Sequence, residues 1–445
     1  MPLANSKSPN HIRKRVSFWI LAFFVALLWY FGTPNSLCEF FANRSLDARR
    51  PSSTLQWIQF ERSWFGTTSR SLVLEARAYL QHGETASVLQ SVQSLRDRDP
   101  SNKLVDVLDN LVSIQLGDQS RLGPLIASTE DNLPLTDVFE ASARCHLFNS
   151  DENSLAATFE HWTQFSPNDP AIEYYRGRWD EVSDRFDSAI SHFEKSKTQG
   201  SWFLKPRFRK GILLRDLRRF DEALQEFDSM IGSDFETIAT VEAAYCLHMM
   251  GDSKAAWGKL QGKHDVSIML QTQYYQRADQ FIEGNRIALV GGGILESLER
   301  YSEAMVLLRQ AIEANHRDSE ARVLLISCLN RSGKTDDAAI ESKVHAEMTS
   351  GRLEGKKLAD QLEIDSTDFS KRIRYATLLF RYKSLGESQL ETETLQKEFP
   401  AEAETHRLLA SIYRERARES NDWNLRADAQ ERIALKLEAQ KQASN

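Results

Sequence analysis

The sequence predicts an all-α protein of stacked helix pairs preceded by one membrane-spanning helix, and three observations predict it. Similar residues recur 34 positions apart, with Ala143, Gly177 and Gly211 in one column and Phe159, Phe193 and Phe227 in another, which is the period of two antiparallel helices with their turns. Only 11 Pro and 20 Gly occur in 445 residues, so long helical stretches are permitted. Residues 16–31 (VSFWILAFFVALLWYF) form an uncharged apolar run.

Composition narrows the class. With 41% hydrophobic and 27% charged residues, the chain has too much apolar material to be largely disordered. A net charge of -7 argues against the uniformly basic surface that nonspecific nucleic-acid binding requires, so no nucleic-acid partner is expected. The four cysteines lie tens of residues apart without a CxxC pair, which speaks against zinc or a thioredoxin-like redox centre.

A short basic tail, residues 1–15, carries Lys7, Arg13, Lys14 and Arg15 ahead of the apolar run. Sixteen helical residues span ~24 Å against a hydrocarbon core of ~30 Å, and Trp29 and Tyr30 suit the interface. Gly32 to Cys38 offers no small-residue cleavage pattern, so residues 16–31 are expected to remain as a transmembrane signal anchor. Leu37 before Cys38 speaks against lipidation. The Arg13 to Arg15 cluster favours a single-pass protein whose repeats lie on the non-cytoplasmic, periplasmic side. Arg44, Arg49 and Arg50 beyond the run leave the cytoplasmic-facing alternative open.

Residues 32–69 are expected to form a linker and an amino-terminal cap. Trp57, Phe60 and Trp64 share one helical face, which should pack on the first repeat rather than lie on a membrane surface, because Glu61 and Arg62 break the basic face that interfacial helices prefer.

Repeats are expected over 70–352 and 369–440, about nine in all and several degenerate, with an insert at 353–368. The first runs from Ser69 to Asn102, with Gly83 at its turn and Pro100 as terminator; 103–135 is weak; 136–169, 170–203 and 204–236 are regular. A sixth, 237–266, holds Ala244, Gly251 and Ala256, residues 267–284 read as an extra helix, and units return at 285–318, 319–352, 369–402 and 403–440. The final helix, rich in Ala, Glu, Arg and Lys, suits a solvated cap. Small residues in fixed columns let the two helices approach, and large apolar residues fill the seam. Each pair leaves one flank open, so neighbours must cover it.

These columns resemble the tetratricopeptide-repeat (TPR) family, most clearly in Arg219-Phe220-Asp221-Glu222-Ala223-Leu224-Gln225-Glu226-Phe227 and Arg300-Tyr301-Ser302-Glu303-Ala304-Met305. The likeness covers most of the chain from residue 70. It implies a TPR-type right-handed helical solenoid, an all-α fold whose first helices line a concave groove that binds proteins or peptides.

Candidate chemistry mostly dissolves. Arg331-Ser332-Gly333-Lys334-Thr335 ends like a phosphate loop, but Cys328 stands where Gly is needed and Gly333 aligns with the turn glycines Gly83 and Gly251. Gly292 of Gly291-Gly292-Gly293 holds the small column, and Cys145, Cys246 and Cys328 share one repeat position, as small buried hydrophobes do. No HExxH, His i,i+4 pair or GxSxG occurs, so no catalytic, cofactor or metal site is expected, nor enzyme activity.

One constellation remains. Lys205, Arg207, Arg209, Lys210, Arg215, Arg218 and Arg219 face a single Asp216 in sequence. By the family resemblance, Lys205 and Arg209 are similar to the third-repeat residues of a TPR clamp for a terminal carboxylate, whereas Glu140, Arg144 and Tyr175 depart from its other positions. The expectation is a peptide-binding stripe of Lys205, Arg209, Arg215, Tyr174, Arg178 and Phe208, beside Trp179, holding an acidic extended segment. The expected function is a membrane-anchored TPR scaffold or adaptor acting in envelope assembly or complex formation. The alternative is an accessory or catalytic-regulatory subunit of a membrane-associated enzyme with a site built across repeats.

Overall fold

The computed structural model describes residues 34–115, 119–123, 125, 135–199, 203–262, 266–280, 282, 284–363, 365–417 and 422–444, which form helices and no strand. The chain divides at Arg207/Phe208 into two compact units. The first contains α1 Pro34–Asp47, α2 Pro51–Trp64, α3 Ser69–His82, α4 Thr85–Arg98, α5 Leu104–Gln115, α6 Leu135–Phe148, α7 Glu152–Phe165, α8 Pro170–Val182 and α9 Phe186–Gln199. The division falls within α10, Lys205–Asp216. The second continues with α11 Phe220–Asp228, α12 Glu236–Met249, α13 Ser253–Leu260, α14 Ile268–Arg277, α15 Arg286–Ser297, α16 Tyr301–Ala314 and α17 Ser319–Arg331. It ends with α18 Thr335–Leu362, α19 Phe369–Tyr382, α20 Leu385–Glu398, α21 Ala403–Arg416 and α22 Asp422–Ser444.

Within each unit, neighbouring helices pack as hairpins: α1/α2, α3/α4, α6/α7 and α8/α9 in the first, and α12/α13, α15/α16, α17/α18, α19/α20 and α21/α22 in the second. In most of these hairpins the reversal passes through a left-handed residue, the exception among the described turns being α19/α20, where Lys383 and Ser384 keep negative φ. These residues keep the ruler: Arg49 and Gly83; Ser150, Asp184 and Arg218; Glu299 and Gly333. The next N–H reaches back five residues, Arg185 to the Asp180 carbonyl at 2.8 Å and Arg300 to that of Leu295 at 2.9 Å, satisfying a carbonyl the helix end would leave open.

Contact between the paired helices is close because one side of the seam is small. A Cβ placed on Gly177 would lie 2.6 Å from Phe193 Cε1, and one on Gly211 2.7 Å from Phe227 Cε1. The aromatic ring of the second helix fills the space that the missing side chain leaves in the first.

The α1/α2 hairpin obeys the same register, 34 residues upstream of α3/α4. Ala42 corresponds to Ala76, Thr54 to Val88 and Ile58 to Val92, and all six are buried. Thr54 Oγ1 donates to the Ala42 carbonyl at 3.0 Å, and Ser388 Oγ, in the same register, donates to that of Ala376 at 2.7 Å. The inward face of α2 is therefore Thr54, Ile58 and Glu61. Trp57, Phe60 and Trp64, expected to pack on the first repeat, point outward with exposures of 36%, 48% and 73%. Their rings continue a ladder from Phe41, which stacks on Trp57 at 5.0 Å. Residues 353–362 of the expected insert are the last turns of α18.

The expected single-pass membrane placement is corrected. Among the described residues no helix is long and apolar enough to cross a membrane. Residues 16–31, on which a transmembrane signal anchor and a periplasmic or cytoplasmic-facing orientation rested, lie outside the described residues. At sixteen residues the run is also shorter than the ~20 a spanning helix needs.

The seam and the turn make opposite predictions. Gly211→Ala should lose about 1–3 kcal/mol of unfolding free energy through overpacking against Phe227, outweighing the ~1 kcal/mol that alanine gains in helix propensity. Arg218→Gly, relieving a left-handed residue at φ 61°, should gain about 1 kcal/mol. Urea unfolding of the two variants measures both.

Candidate functional site

In the first unit, the hydroxyl of Tyr174 accepts from Arg178 Nη1 at 3.3 Å, and Arg178 Nε lies 3.4 Å from Glu181. The Tyr174 ring is fully buried against Phe193 and Phe203. Lys205 is buried as well. Glu140 and Tyr175, where the clamp pattern is broken, belong to an internal ion cluster. Arg49, held in the left-handed turn between α1 and α2, inserts its guanidinium between Glu140 and Asp169, with Nη2 2.7 Å from Asp169. Tyr175 donates to Glu140 at 3.1 Å and accepts from Arg144. Arg77 adds a buried pair with Asp137 at 2.5 Å. The Arg49 pairs fasten the α1/α2 turn to α6 and to the cap of α8, and Arg77 ties α3 to α6. A polar cleft of about 420 Å³ lies between α3 and α4, lined by Arg62, Glu75, Tyr79, Ser91 and Arg98 among others; Arg62 closes on both oxygens of Glu75.

In the second unit, Phe208 is fully buried among Phe227, Phe235 and Tyr275. Arg209 donates to Gln280, and Lys210 pairs with Glu226 at 2.8 Å. Arg218 forms the α10–α11 turn and Arg219 pairs with Glu222. The basic run therefore resolves largely into pairs, some near in sequence, such as Arg219–Glu222 and Arg215–Asp216, and some from a neighbouring helix, such as Lys210–Glu226.

Arg215 has a different setting. It meets Glu242 of α12, which also receives two bonds from Arg286 of α15, both 3.2 Å, and one from the Tyr275 hydroxyl at 2.7 Å. The two guanidiniums lie over the Tyr245 ring, at 5.7 and 4.7 Å from its centroid. Burial pushes the Glu242 carboxyl up, but Arg286 and Arg215 outweigh it and hold the group at about 2. Burial likewise opposes charge on both arginines, and Glu242 overrides it, raising each above its ordinary value. Two permanent cations thus share one fully buried anion, and Asp216, next in sequence, also accepts from Nε and Nη2 of Arg215 at 2.9 and 2.7 Å. Roughly a sixth of each arginine side chain remains solvent-accessible, 15% and 18%, and among the described residues none engages Arg286 Nη1.

Helix α14, the expected extra helix, closes one side of this cluster. Gln271 is buried, donates to the Val266 carbonyl and Asn285 Oδ1, and accepts from the Ile287 N–H. Ser267 and Asn285 cap α14 and α15. The sequence reading missed Glu242, Tyr245 and Arg286, which sit three repeat positions and one unit apart. Their only signal was an acid, Glu242, in the middle of a largely apolar α12 whose other acid, Glu236, is in its first turn.

The remaining motifs are structural where described. Gly333 is the αL turn between α17 and α18, and a Cβ on Gly292 would strike Leu308 at 2.6 Å. All four cysteines are buried and free, and burial pushes the Cys246 thiol up to about 12. Among the described residues no group of three or more His, Cys, Asp or Glu converges as a metal site.

No family model matches the chain, and no curated protein does. Solved structures similar to it include a tetratricopeptide repeat protein from Parabacteroides merdae, at 14% identity over 59% of this chain and 98% of that one with a TM-score of 0.34. Human IFIT1 with m7Gppp-AAAA follows at 12% identity, 87% and 94% coverage and a TM-score of 0.39. Yeast Tom70 stands at 13%, 92% and 96%, with 0.30. At such scores these likenesses carry no argument. The chain's own hairpins and 34-residue turn spacing make it a helical-repeat protein.

Glu242→Gln should destabilise the second unit by about 3–5 kcal/mol, because it leaves the buried Arg286 facing Arg215 without its carboxylate and Arg215 with Asp216 alone. The carboxylate's native value lies below the ordinary 4.5, so its stabilisation is complete above that range and drains away as pH falls toward about 2. Urea midpoints measured from pH 6 to 2.5 should fall less steeply in Glu242→Gln than in the native chain.

Proposed function

We propose that this chain is a protein-interaction scaffold of the helical-repeat class, acting by binding rather than catalysis, and that its second unit takes an acidic side chain or chain-terminal carboxylate of a partner protein. The supporting observation is the Arg215–Tyr245–Arg286 group over buried Glu242. Glu242 bonds both guanidiniums and fixes their orientation before a ligand arrives, while Asp216 takes Nε and Nη2 of Arg215. The nitrogen still available, Arg286 Nη1, belongs to the guanidinium that sits over the Tyr245 face. That combination suits a carboxylate, since charge-assisted hydrogen bonds contribute about 1.5–3 kcal/mol each. Arg209 extends the positive edge on α10 and Phe208 is buried in the same unit, whereas Tyr174 and Lys205 are buried in the first unit.

A fluorescein-labelled peptide rich in Glu provides the probe, with anisotropy read at low and physiological salt. Arg286→Lys keeps the charge and loses the planar fork. It should raise Kd about tenfold, equivalent to ~1.4 kcal/mol, and Tyr245→Ala should act in the same direction. Equal affinity in native and Arg286→Lys protein would remove this site from the proposal.

A further inference from the structure

The α1/α2 hairpin is fastened to the first unit at two ends by opposite chemistry. At its turn, Arg49 is neutralised by Glu140 and Asp169. At the carboxyl end of α2, Glu61 is fully buried, and neither carboxyl oxygen has a hydrogen-bond partner.

The groups facing Glu61 supply no cation to pair with it. From α1 come the buried Cys38 and Glu39. Glu39 accepts from Thr68 Oγ1 at 2.6 Å, and Arg70 of α3, mostly in solvent, lies 3.7 Å from its other oxygen. From α3 comes Ser71, whose hydroxyl proton goes to the Thr68 carbonyl. Glu75 of α3 holds Arg62, the charged neighbour of Glu61 on α2. The hydroxyls near Glu61 are therefore committed elsewhere, and the nearest arginines serve other carboxylates.

An ionised carboxylate in this place is costly, and a buried acid without a partner takes a proton instead. Burial raises the Glu61 carboxyl to about 7, with the Glu39 charge adding and the Thr68 and Ser71 hydroxyls and Arg62 opposing in part.

We propose that Glu61 is a proton-operated latch: protonated and neutral, it seats the carboxyl end of α2 against α1 and α3, and on losing its proton to water it becomes an unpaired buried anion beside Glu39 that loosens this end. The Arg49 turn stays clasped, so the hairpin pivots rather than detaches. The sign follows from linkage. Between the ordinary value of 4.5 and about 7 the docked form binds a proton that the released form has lost, so docking weakens as pH rises through that window.

Amide hydrogen exchange by mass spectrometry on the full chain at pH 6 and pH 8, corrected for intrinsic exchange, tests the latch. Protection in 51–64 should fall several-fold to tenfold from pH 6 to pH 8, while α6 to α9 keep theirs. Glu61→Gln, neutral at both values, should keep high protection at both. Glu39→Gln removes the neighbouring negative charge and should move the transition to lower pH, which decides the matter even if Glu61→Gln folds poorly. Unchanged protection of 51–64 across pH in the native chain, or an unaltered transition in both variants, would overturn the proposal.

Discussion

Steric pairing of a small residue with a large one sixteen positions later is the constraint on which the rest of this structure depends. Gly177 faces Phe193, Gly211 faces Phe227 and Gly292 faces Leu308, each too close for a Cβ. Ala42 with Ile58, Ala76 with Val92 and Ala244 with Leu260 are buried pairs at the same spacing. The pairing sets how near the two helices come, which in turn limits the turn to a few residues and in most hairpins places one of them in the left-handed region. Once seam and turn are set, the outer flank of each hairpin remains apolar, and only a neighbouring hairpin can cover it.

Much of that was legible in the sequence because Phe and Gly are conspicuous. The Phe159–Phe193–Phe227 column needed no tertiary information. The α1/α2 hairpin obeys the same rule with Thr54 and Ile58 in place of Ala and Phe, so its column was silent, while Trp57, Phe60 and Trp64 made a more visible stripe on the wrong face. The turns were half legible: Gly83 and Gly333 mark themselves, whereas Asp184, Arg218 and Glu299 adopt the same backbone without glycine's signature. The apolar run at 16–31 raised an expectation of membrane crossing on hydrophobicity alone, a property that no described helix shares at sufficient length.

The candidate site was less legible for a physical reason. Charge along one helix is visible in sequence, but part of its compensation comes from other helices. Lys210 finds Glu226 and Arg215 finds Glu242 by repeat geometry, whereas Arg219–Glu222 and Arg215–Asp216 are local pairs. Helical position also could not separate Phe208 and Tyr174, which are wholly inside, from Arg209 and Arg215 at the edge. Glu242 is the clearest case: in sequence it interrupts an apolar helix, and in space it organises two arginines and two tyrosines.

Buried carboxyls of one residue type therefore behave in opposite ways according to what the repeat brings beside them. Glu242, between two guanidiniums, stays ionised, and its contribution weakens only in acid. Glu61, beside another carboxyl and with its neighbouring arginine drawn off to Glu75, is neutral in the docked form and costs most above neutrality. Both residues lie on inward helical faces of similar hairpins, so burial alone does not decide their state. The deciding variable is whether a cation arrives from the adjacent hairpin, because burial without a counter-charge raises a carboxyl and the same burial with two counter-charges strengthens their hold on it. A repeat fold can thus keep its backbone seam constant while exchanging a structural ion cluster for a titratable joint by moving a single arginine.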